Sequence, residues 1–340
     1  MKILLVEVKR KCADLEWEGK YLRDKLTDHE CVFFDGLAEE HEGDMSEVEV
    51  LSTFIHSQVN AELLDKMPKL KLVVTRSTGY NHIDLAECAQ RGIVVTNVPS
   101  YGENTVAEYA FALLLAVCRR TYEAYDRSIR GNYSLEGLMG LDLKGKTFGV
   151  VGGGKIGIHA IRIGVGFGMK VLCYDVKPDE GLAKEIGFEY VELDKLLAES
   201  DFISMHVPLI PPTEHMMSEA AFNKMKDGAI LINTARGGVV DTEALVAALN
   251  SGKLAGAGLD VLEGEEWLSE QLGLAPKESD AEKLRDALQN HILMDHPNVV
   301  VTFHNAFNTK EGRTRIMETT VENIDGFMAG KVVNEVKAKK

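Results

Sequence analysis

The feature that most limits the fold of this chain is a regular alternation of short β-branched runs with amphipathic segments. Strands that alternate with helices in this way form parallel sheets covered by crossover helices. In the first part of the chain, strands are predicted at 2–8, 30–34, 49–54, 71–75 and 93–96, with helices such as 61–67 and 85–91 between them. In the second part, strands are predicted at 147–151, 171–175, 202–207, 229–234, 256–260 and 299–303, with helices at 155–167, 193–199, 218–225 and 242–251. The sequence therefore predicts an α/β fold with two doubly wound parallel-sheet domains.

Three segments depart from this alternation. A long helix is predicted from residue 104, and because it is apolar on nearly all sides it must be buried within the chain or against another subunit. Residues 263–298 form a charged stretch that is predicted to be irregular. The last predicted helix, 313–328, has no strand after it, and we expect it to return to the first domain. The expected domains are 1–101 with 302–340, and 102–301.

Charge and composition exclude several classes of protein. Lys and Arg number 38 against 53 Asp and Glu, and the resulting formal net charge of −15 repels nucleic acid. The longest apolar run, residues 109–118, is far shorter than the roughly 18 residues that span a bilayer, so no membrane partner is expected. No His, Cys or carboxylate cluster has the spacing of a metal site. The cysteines have no CxxC pair and predict reduced thiols in a cytoplasmic protein; they are Cys12, Cys31, Cys88, Cys118 and Cys173.

A glycine-rich motif follows the predicted strand 147–151. Gly152, Gly154 and Gly157 form G-x-G-x-x-G before a helix, and Asp175 ends the next strand. In such a motif the first glycine permits a tight turn, the second lets the backbone approach a pyrophosphate, and the third lets the helix pack closely. Asp175 can accept hydrogen bonds from ribose hydroxyls, and its charge repels a 2′-phosphate. The motif therefore predicts that the cofactor is NAD rather than NADP.

Three further polar residues stand just past predicted strands, Arg236 in INTARGG, Glu265 in GLDVLEGEE and His304 in VTFHNAF. Reduction of a 2-keto acid needs a cation for the carboxylate, a proton donor, and a group that keeps the donor charged, which these residue types supply in the order Arg, His, Glu. Each residue also has an ordinary structural interpretation. Arg236 could be a surface charge, Glu265 part of a solvated acidic run, and His304 a core histidine whose hydrogen bonds are satisfied. Composition and spacing do not choose between these interpretations. His82 and His206 are expected not to be the proton donor.

Several segments then carry a resemblance across essentially the whole chain; they are TRSTGYNHID, NVPSYGENTVAE, VVGGGKIG, MHVP, INTARGG, LAGAGLDVLEGEE and VTFHNAF. In this order they are similar to the motifs of the D-isomer-specific 2-hydroxyacid dehydrogenases. The resemblance implies a flavodoxin-like N-terminal domain that binds substrate and a Rossmann domain in the middle of the chain that binds NAD. It also implies a homodimer through the long helix near 104–125.

The same resemblance implies roles for individual residues. The implied catalytic residues are Arg236, Glu265 and His304. The implied substrate contacts are the backbone of Thr78 and Gly79, Tyr101 and Arg236. The implied cofactor contacts are Gly152, Gly154, Lys155, Ile156, Gly157, Asp175, Val207, Pro208, Thr213, Thr234, Ala235, Arg236 and Asp260.

Within the family the chain resembles the D-lactate dehydrogenase branch most, through Tyr101 and the length of the stretch between Glu265 and His304. It differs at Phe303, where Pro is usual, and at HNAFNT, where lactate-type members have HIAYYT. The implied reaction is hydride transfer between NADH and a small 2-keto acid to give the D-2-hydroxy acid, with pyruvate and D-lactate as the leading pair. The alternatives are a dehydrogenase of the 2-ketoisocaproate, glyoxylate/hydroxypyruvate or phosphoglycerate type, and a non-catalytic NAD-sensing protein similar to corepressors of the family.

Overall fold

The structure is a computed structural model that describes residues 1–8, 16–265 and 281–337. Cys12 and the 266–280 part of the stretch expected to be irregular lie outside the described residues. The chain divides into two compact units, Met1–Tyr101 with Thr309–Lys340, called the first unit, and Gly102–Asn308, called the second unit. The sequence predicts the return to the first unit at residue 302, whereas the structure has it at Thr309. The difference arises because residues 302–306 are hydrogen-bonded to Asp260 of the second unit.

The described strands of the first unit form one parallel sheet in the order β2-β1-β3-β4-β5, which is the order of flavodoxin-like folds. The strands are β1 (Lys2–Leu5), β2 (Glu30–Phe33), β3 (Val50–Thr53), β4 (Leu72–Thr75) and β5 (Val94–Thr96). The helices are α1 (Glu16–Lys25), α2 (Ala61–Asp65), α3 (Leu85–Gln90) and, from the end of the chain, α12 (Lys310–Met328). Strand residues such as Leu4, Leu51 and Val73 are fully buried against helix residues such as Leu64, as expected for a parallel sheet covered on both faces.

The described strands of the second unit form a parallel sheet in the order β12-β11-β10-β9-β6-β7-β8. Its strands are β6 (Thr147–Val151), β7 (Lys170–Tyr174), β8 (Glu189–Tyr190), β9 (Phe202–Met205), β10 (Ala229–Asn233), β11 (Leu254–Leu259) and β12 (Val299–Val301). Its helices are α4 (Glu103–Arg119), α5 (Thr121–Ile129), α6 (Lys155–Gly166), α7 (Glu180–Ile186), α8 (Leu193–Glu199), α9 (Glu219–Lys224), α10 (Thr242–Asn250) and α11 (Ala281–Asp295). The strand order reverses between β6 and β9, the switch point where doubly wound sheets bind nucleotides. The predicted fold class is confirmed.

One prediction of the sequence analysis is wrong for residues 281–295, which were expected to be irregular and form helix α11. Charged residues at five of its fifteen positions interrupt the apolar period of this segment. Ala287, Asn290 and Leu293, spaced by three, are buried, and α11 packs against α10 and β12. Tertiary packing of this narrow buried stripe therefore stabilises a helix that the sequence pattern indicates only weakly.

The long predicted helix is α4, and much of it is buried inside the second unit. Residues such as Ala107, Phe111 and Leu114 are buried, and the helix packs against α6 and β11. The last helix, α12, packs against α1 and β4 of the first unit. None of the helices among the described residues combines the length and the apolar character that crossing a membrane requires.

Candidate active site

Three side chains that the sequence analysis singled out follow neighbouring strands of the second unit. Arg236 follows β10, Glu265 follows β11 and His304 follows β12, and these strands lie side by side in the sheet. The carboxyl ends of parallel strands share one edge, and ligands bind there in open α/β folds. The glycine motif follows β6 at the same edge. One edge of this sheet therefore carries both sets of candidate residues.

Glu265 and His304 form a hydrogen-bonded pair. Oε1 of Glu265 lies 2.8 Å from Nδ1 of His304, although the residues are 39 positions apart. Oε2 of the same carboxylate accepts the N–H of Leu262 at 3.2 Å. Both side chains are half-buried. Because a carboxylate only accepts, Nδ1 carries a hydrogen, and Nε2 is the nitrogen that can exchange a proton with a ligand.

Asp260 holds the loop that carries His304. Its carboxylate accepts the Thr302 hydroxyl at 2.5 Å and the N–H groups of Asn305 at 2.9 Å and Ala306 at 2.8 Å. Its carbonyl oxygen accepts the N–H of His304 at 2.7 Å. Burial raises the pKa of Asp260, and these hydrogen bonds oppose that effect. The loop fixes His304 at a φ of +48°, a left-handed conformation that non-glycine residues rarely adopt and that is common at functional sites.

Arg236 lies on a short loop that is anchored on both sides. Oδ1 of Asn233 accepts the N–H of Ala235 at 3.0 Å, and its Nδ2 donates to the carbonyl oxygen of Arg236 at 2.9 Å. A Cβ on Gly237 would lie 2.1 Å from the carbonyl oxygen of Leu262, so only glycine lets this loop pack against the segment that follows β11. The guanidinium donates through Nη1 to the Ala235 carbonyl at 2.7 Å. The fold thus brings the backbone of Arg236 next to the segment that carries Glu265.

The three glycines of the motif have steric surroundings that suit a dinucleotide loop. Gly152 has a φ of +103°, and a Cβ there would lie 2.7 Å from the carbonyl oxygen of His206. A Cβ on Gly157 would lie 1.9 Å from the Gly152 carbonyl oxygen, so α6 packs directly on the turn. At Gly154 no atom of the described residues lies within 4 Å of the Cβ position. The space in front of Gly154 is therefore open to a ligand at the N-terminus of α6.

Asp175 touches the glycine loop directly. Its Oδ2 accepts the N–H of Gly153 at 2.7 Å, and its Oδ1 accepts the N–H of Lys177 at 2.8 Å. A carboxylate has about four acceptor positions, so capacity for a ribose hydroxyl remains.

Other predicted cofactor residues surround the same edge. The Thr234 hydroxyl is buried and has no hydrogen-bond partner among the described residues, which is costly unless a ligand satisfies it. The Thr213 hydroxyl accepts the Ile210 N–H at 3.0 Å and donates to the Pro208 carbonyl at 2.5 Å, which ties down the loop after β9. The residues present therefore fit a bound dinucleotide.

The remaining three cofactor candidates are more exposed or lie on neighbouring loops. Lys155 begins α6, is exposed, and forms an ion pair with Glu103 at 3.5 Å, while Ile156 follows it on the helix. Val207 is half-buried and packs against the core of the sheet.

Three of the substrate-side candidates, Thr78, Gly79 and Tyr101, belong to the first unit, whereas Arg236 belongs to the second. Thr78 and Gly79 follow β4, and the carbonyl oxygen of Tyr101 accepts Nε of Arg315 at 2.6 Å. Each of these residues is thus placed by contacts within its own unit.

Sequence reasoning missed three polar residues near these sites. Asn97 donates through Nδ2 to the Thr78 carbonyl at 2.8 Å. His215 lies 2.5 Å from Glu263 through Nε2, and this hydrogen bond raises the pKa of His215. Of these residues, only Asn97 could have been identified from the sequence, through its place in the NVPSYG motif.

Two other histidines, His82 and His206, lie near strand ends. Burial lowers the pKa of both His82 and His206 to about 4, so neither is charged at neutral pH. Among the described side chains, no group of three or more His, Cys, Asp or Glu is arranged to hold a metal ion.

Comparison with known proteins agrees with this geometry. The family described as D-isomer specific 2-hydroxyacid dehydrogenase, NAD binding domain, matches residues 111–306. A D-lactate dehydrogenase of Curvularia clavata is 41% identical over 284 residues, 83% of this chain and 79% of that one. A glyoxylate reductase of Thermococcus litoralis is 42% identical over 293 residues, 84% of this chain and 82% of that one. The crystal structure of D-lactate dehydrogenase from Aquifex aeolicus, complexed with NAD and lactic acid, has a TM-score of 0.86 at 38% identity and covers 99% of this chain and 100% of that one.

The fold and the site define an NAD-dependent oxidoreductase, and the family match assigns NAD binding to the second unit. The chain belongs to the D-isomer-specific 2-hydroxyacid dehydrogenase family, as its motifs predicted, and is similar to the D-lactate dehydrogenases within it. The alternative of a non-catalytic NAD-sensing protein is set aside.

Proposed function

We propose that the protein reduces a small 2-keto acid to the D-2-hydroxy acid, with pyruvate and D-lactate as the leading pair. The observation that carries this proposal is the pairing of Glu265 with His304 at the strand edge that also bears Arg236. Arg236 supplies a cation for the substrate carboxylate, His304 a proton for the carbonyl oxygen, and Glu265 the acceptor that orients the imidazole through Nδ1. When bound, NADH supplies the hydride to the carbonyl carbon.

His304 handles the proton of this reaction. In its charged form both ring nitrogens carry hydrogens, Nδ1 bonded to Glu265 and Nε2 available to the keto oxygen. Reduction transfers the Nε2 proton to that oxygen, and oxidation of the hydroxy acid returns it. The bonds from the loop to Asp260 keep the ring in one orientation during both steps. Reduction therefore needs charged His304, and oxidation needs neutral His304.

The substrate carboxylate is held by charge and by backbone donors. The guanidinium of Arg236 has five N–H donors, and its planar fork can hold a carboxylate through two parallel bonds. We assign the N–H groups of Thr78 and Gly79 as further donors and Tyr101 to the substrate side. The first unit is thus the proposed substrate domain.

The proposed substrate is small because a buried aromatic ring stands beside the proton donor. The ring centroid of Phe307 is 6.5 Å from that of His304. In the same HNAFNT segment, Asn308 donates to Oδ1 of Asn305 at 2.9 Å, and Nδ2 of Asn305 donates to the Tyr109 hydroxyl at 3.2 Å. These two hydrogen bonds limit the movement of the segment that carries Phe307. Glyoxylate is the second candidate substrate, because a glyoxylate reductase is among the relatives at 42% identity.

A panel of 2-keto acids tests the substrate. Glyoxylate, pyruvate, hydroxypyruvate and 2-ketoisocaproate are compared by kcat/KM with NADH, and the configuration of the product is determined with a stereospecific assay. The expected result is a maximum at pyruvate and a D product. A maximum at another acid would replace the proposed pair, and an L product would contradict the proposed stereochemistry. His304→Ala serves as the inactive control.

We further propose that the protein is a homodimer, with α5 and the loop after it completing the surface expected near 104–125. Large apolar side chains are clustered there with 65% to 91% of their surface exposed; they are Tyr122, Tyr125, Ile129, Tyr133, Leu135 and Met139. Several exposed large apolar side chains in one short segment are typical of a protein interface.

Light scattering on a sizing column tests this surface. The expected mass is twice the 37.5 kDa of one chain. Leu135→Asp combined with Met139→Asp should give monomers, whereas Leu288→Asp, an exposed apolar position on α11, should leave the dimer intact. A monomeric unmodified protein would contradict the proposal.

The proposed location is the cytoplasm. Among the described cysteines, Cys88, Cys118 and Cys173 are free and buried. Burial raises their pKa to about 11, about 12 and about 12, which keeps the thiols protonated and unreactive. Free thiols are typical of reducing compartments.

A further inference from the structure

Glu263, in the turn after β11, is bound by groups from three other parts of the second unit. Its Oε1 accepts the hydrogen on Nε2 of His215, in the loop after β9, at 2.5 Å. Its Oε2 accepts the hydroxyl of Thr242, the first residue of α10, at 3.0 Å. Its carbonyl oxygen accepts Nδ2 of Asn290, a buried residue of α11, at 2.8 Å. Both the side chain and the backbone of Glu263 are therefore held in place.

His215 is a fixed partner for this carboxylate. Its N–H donates to the carbonyl oxygen of Gly238, in the loop after β10, at 2.9 Å. That loop is itself anchored by the side chain of Asn233. The backbone of His215 has a φ of +47°, which lies in the left-handed region. One residue thus bonds the loop after β10 through its backbone and Glu263 through its ring.

The bond between His215 and Glu263 forms whether or not the ring is charged. A carboxylate only accepts, so Nε2 of His215 must carry a hydrogen. Nε2 carries one in the charged ring and in one of the two neutral tautomers, and the carboxylate selects that tautomer. The link between the loop after β9 and the turn after β11 is therefore present in both protonation states of His215.

The turn that Glu263 anchors also carries Glu265. The N–H of Glu265 donates to the Leu262 carbonyl oxygen at 3.3 Å, and its Oε2 accepts the Leu262 N–H at 3.2 Å. Its Oε1 lies 2.8 Å from Nδ1 of His304. Because Glu265 is bound to the turn, its distance from His304 depends on where the turn lies. Glu263 fixes that place, because it bonds the turn to the loop after β9 and to α10.

We propose that His215 and Glu263 are positioning residues for the pair Glu265 and His304. Their bond holds the turn after β11 at the place from which Glu265 reaches the imidazole. The inference rests on the proposed function, which assigns the transferred proton to His304. His215 and Glu263 act on the orientation of this proton donor, and they neither exchange the proton nor bind the keto acid.

His215→Asn tests this role by removing the ring while keeping the backbone, because asparagine is one of the residues that adopt the left-handed region most readily. Its shorter side chain leaves Oε1 of Glu263 without this donor. We expect kcat and kcat/KM for reduction to fall together by about 10- to 100-fold, because displacement of a catalytic group by about 1 Å can cost 10²-fold. KM for the keto acid should change less than twofold, because Asn233 anchors the loop of Arg236 independently.

The dissociation constant of NADH, measured by fluorescence titration, should stay unchanged in His215→Asn. The cofactor side of the loop after β9 has its own anchor, because the Thr213 hydroxyl accepts the Ile210 N–H and donates to the Pro208 carbonyl oxygen. A loss in kcat without a loss in NADH affinity distinguishes the positioning role from general loosening of this loop.

Substitutions at Glu263 test the other end of the bond. Glu263→Ala removes the partner of both His215 and Thr242, and it should lower kcat at least as much as His215→Asn. Glu263→Gln keeps an acceptor for Nε2 of His215 and a polar partner for the Thr242 hydroxyl, so most of kcat should be recovered. The double variant His215→Asn, Glu263→Ala should be no slower than Glu263→Ala, because residues that act through one bond are not additive.

The matched control is Glu243→Ala, which removes another carboxylate from the first turn of α10. Glu243 forms an ion pair with Arg285 of α11, and both side chains are exposed. Exposed ion pairs contribute little, so kcat, KM and NADH affinity should all be unchanged. Thermal unfolding checks that each variant is folded.

The outcomes separate this inference from the proposed function. Folded His215→Asn and Glu263→Ala variants with an unchanged kcat, or with a rise in KM at constant kcat, overturn the positioning role while the reaction stands. A Glu263→Gln variant as slow as Glu263→Ala also overturns it, because charge rather than the hydrogen bond would then be required.

Folding of the variants is decided in the same way. If Glu263→Ala does not fold, His215→Asn decides the question, because His215 lies at the exposed surface. If His215→Asn does not fold either, the pair maintains the fold rather than the site, and the positioning role is overturned. An unmodified protein that reduces none of the 2-keto acids with NADH overturns the proposed function and this inference with it.

Discussion

The two glycines at the start of α6 provide a test in which the same substitution should have opposite consequences. At Gly154 no atom lies within 4 Å of a Cβ, whereas at Gly157 a Cβ would lie 1.9 Å from a backbone oxygen. Gly154 also has a φ of −70°, which alanine adopts without strain. We expect Gly154→Ala to leave the fold intact and to place its methyl group against the cofactor pyrophosphate. We expect Gly157→Ala to damage the fold itself.

The magnitudes follow from these distances. For Gly154→Ala, loss of a favourable N-cap residue costs about 0.5 to 1 kcal/mol, and the stiffer unfolded chain returns about 0.4 to 1 kcal/mol, so the free energy of unfolding should hardly change. A methyl group that displaces the phosphate from one N–H removes a hydrogen bond to a charged group, about 1.5 to 3 kcal/mol, or roughly 10- to 100-fold in NADH affinity. For Gly157→Ala the overlap needs a backbone shift of more than about 1 Å, and overpacking of this kind costs about 1 to 3 kcal/mol or more.

Urea unfolding without cofactor and fluorescence titration with NADH measure the two effects separately. Gly166→Ala is the matched control, because it lies on the same helix and its Cβ also meets no atom within 4 Å. It should bind NADH normally. If Gly154→Ala binds NADH as tightly as the unmodified protein, the pyrophosphate does not approach this loop, and the reasoning from the open Cβ position is refuted.

Arg236→Lys keeps the charge but loses the planar fork, so KM for the keto acid should rise about tenfold and kcat should fall, while NADH titration is unchanged. Glu265→Gln removes the charged acceptor of the His304 Nδ1 hydrogen, so kcat/KM for reduction should fall, and an unchanged kcat/KM would contradict the pairing. His304→Ala should lower kcat/KM roughly 10²- to 10⁴-fold at every pH, and near-normal rates would place the donor elsewhere. Asp175→Ala should reduce the preference for NADH over NADPH. Equal kcat/KM for both cofactors in the unmodified enzyme would contradict the proposed role of Asp175 in cofactor selection. Burial lowers the pKa of His206 to about 4, against about 6.5 in the unfolded chain. The unfolded chain therefore binds more protons between these values, and the free energy of unfolding should fall as pH falls from about 6.5 to about 4, less steeply in His206→Gln.

Much of the fold was accessible from the sequence because parallel strands buried on both faces leave a strong local pattern. The predicted strands of both sheets are present; β6 has the predicted bounds, and the others differ from their predictions by one to a few residues at the ends. Helix α11 was missed because its apolar stripe is narrow, α1 because six of its ten residues are charged, and α5 because none of its residues is buried. The period of apolar residues reflects which side chains are buried, so prediction of a helix from this period fails where few of its side chains are buried.

The sequence also determined which edge of the sheet carries the candidate site. Arg236, Glu265 and His304 each follow a strand, and all parallel strands end at one edge, so their common location required only the strand pattern. The open space at Gly154 was likewise implied by its place in the motif.

Only the tertiary structure decided which of these residues touch one another. The 2.8 Å contact between Glu265 and His304 spans 39 positions and depends on the left-handed backbone at His304 and on the bonds to Asp260. The bond from Asn97 to Thr78 depends in turn on how the segment after β5 lies beside the loop after β4. Such contacts depend on loop conformation and on packing between distant parts of the chain. No local sequence pattern specifies these contacts, and they form only when the whole unit is folded.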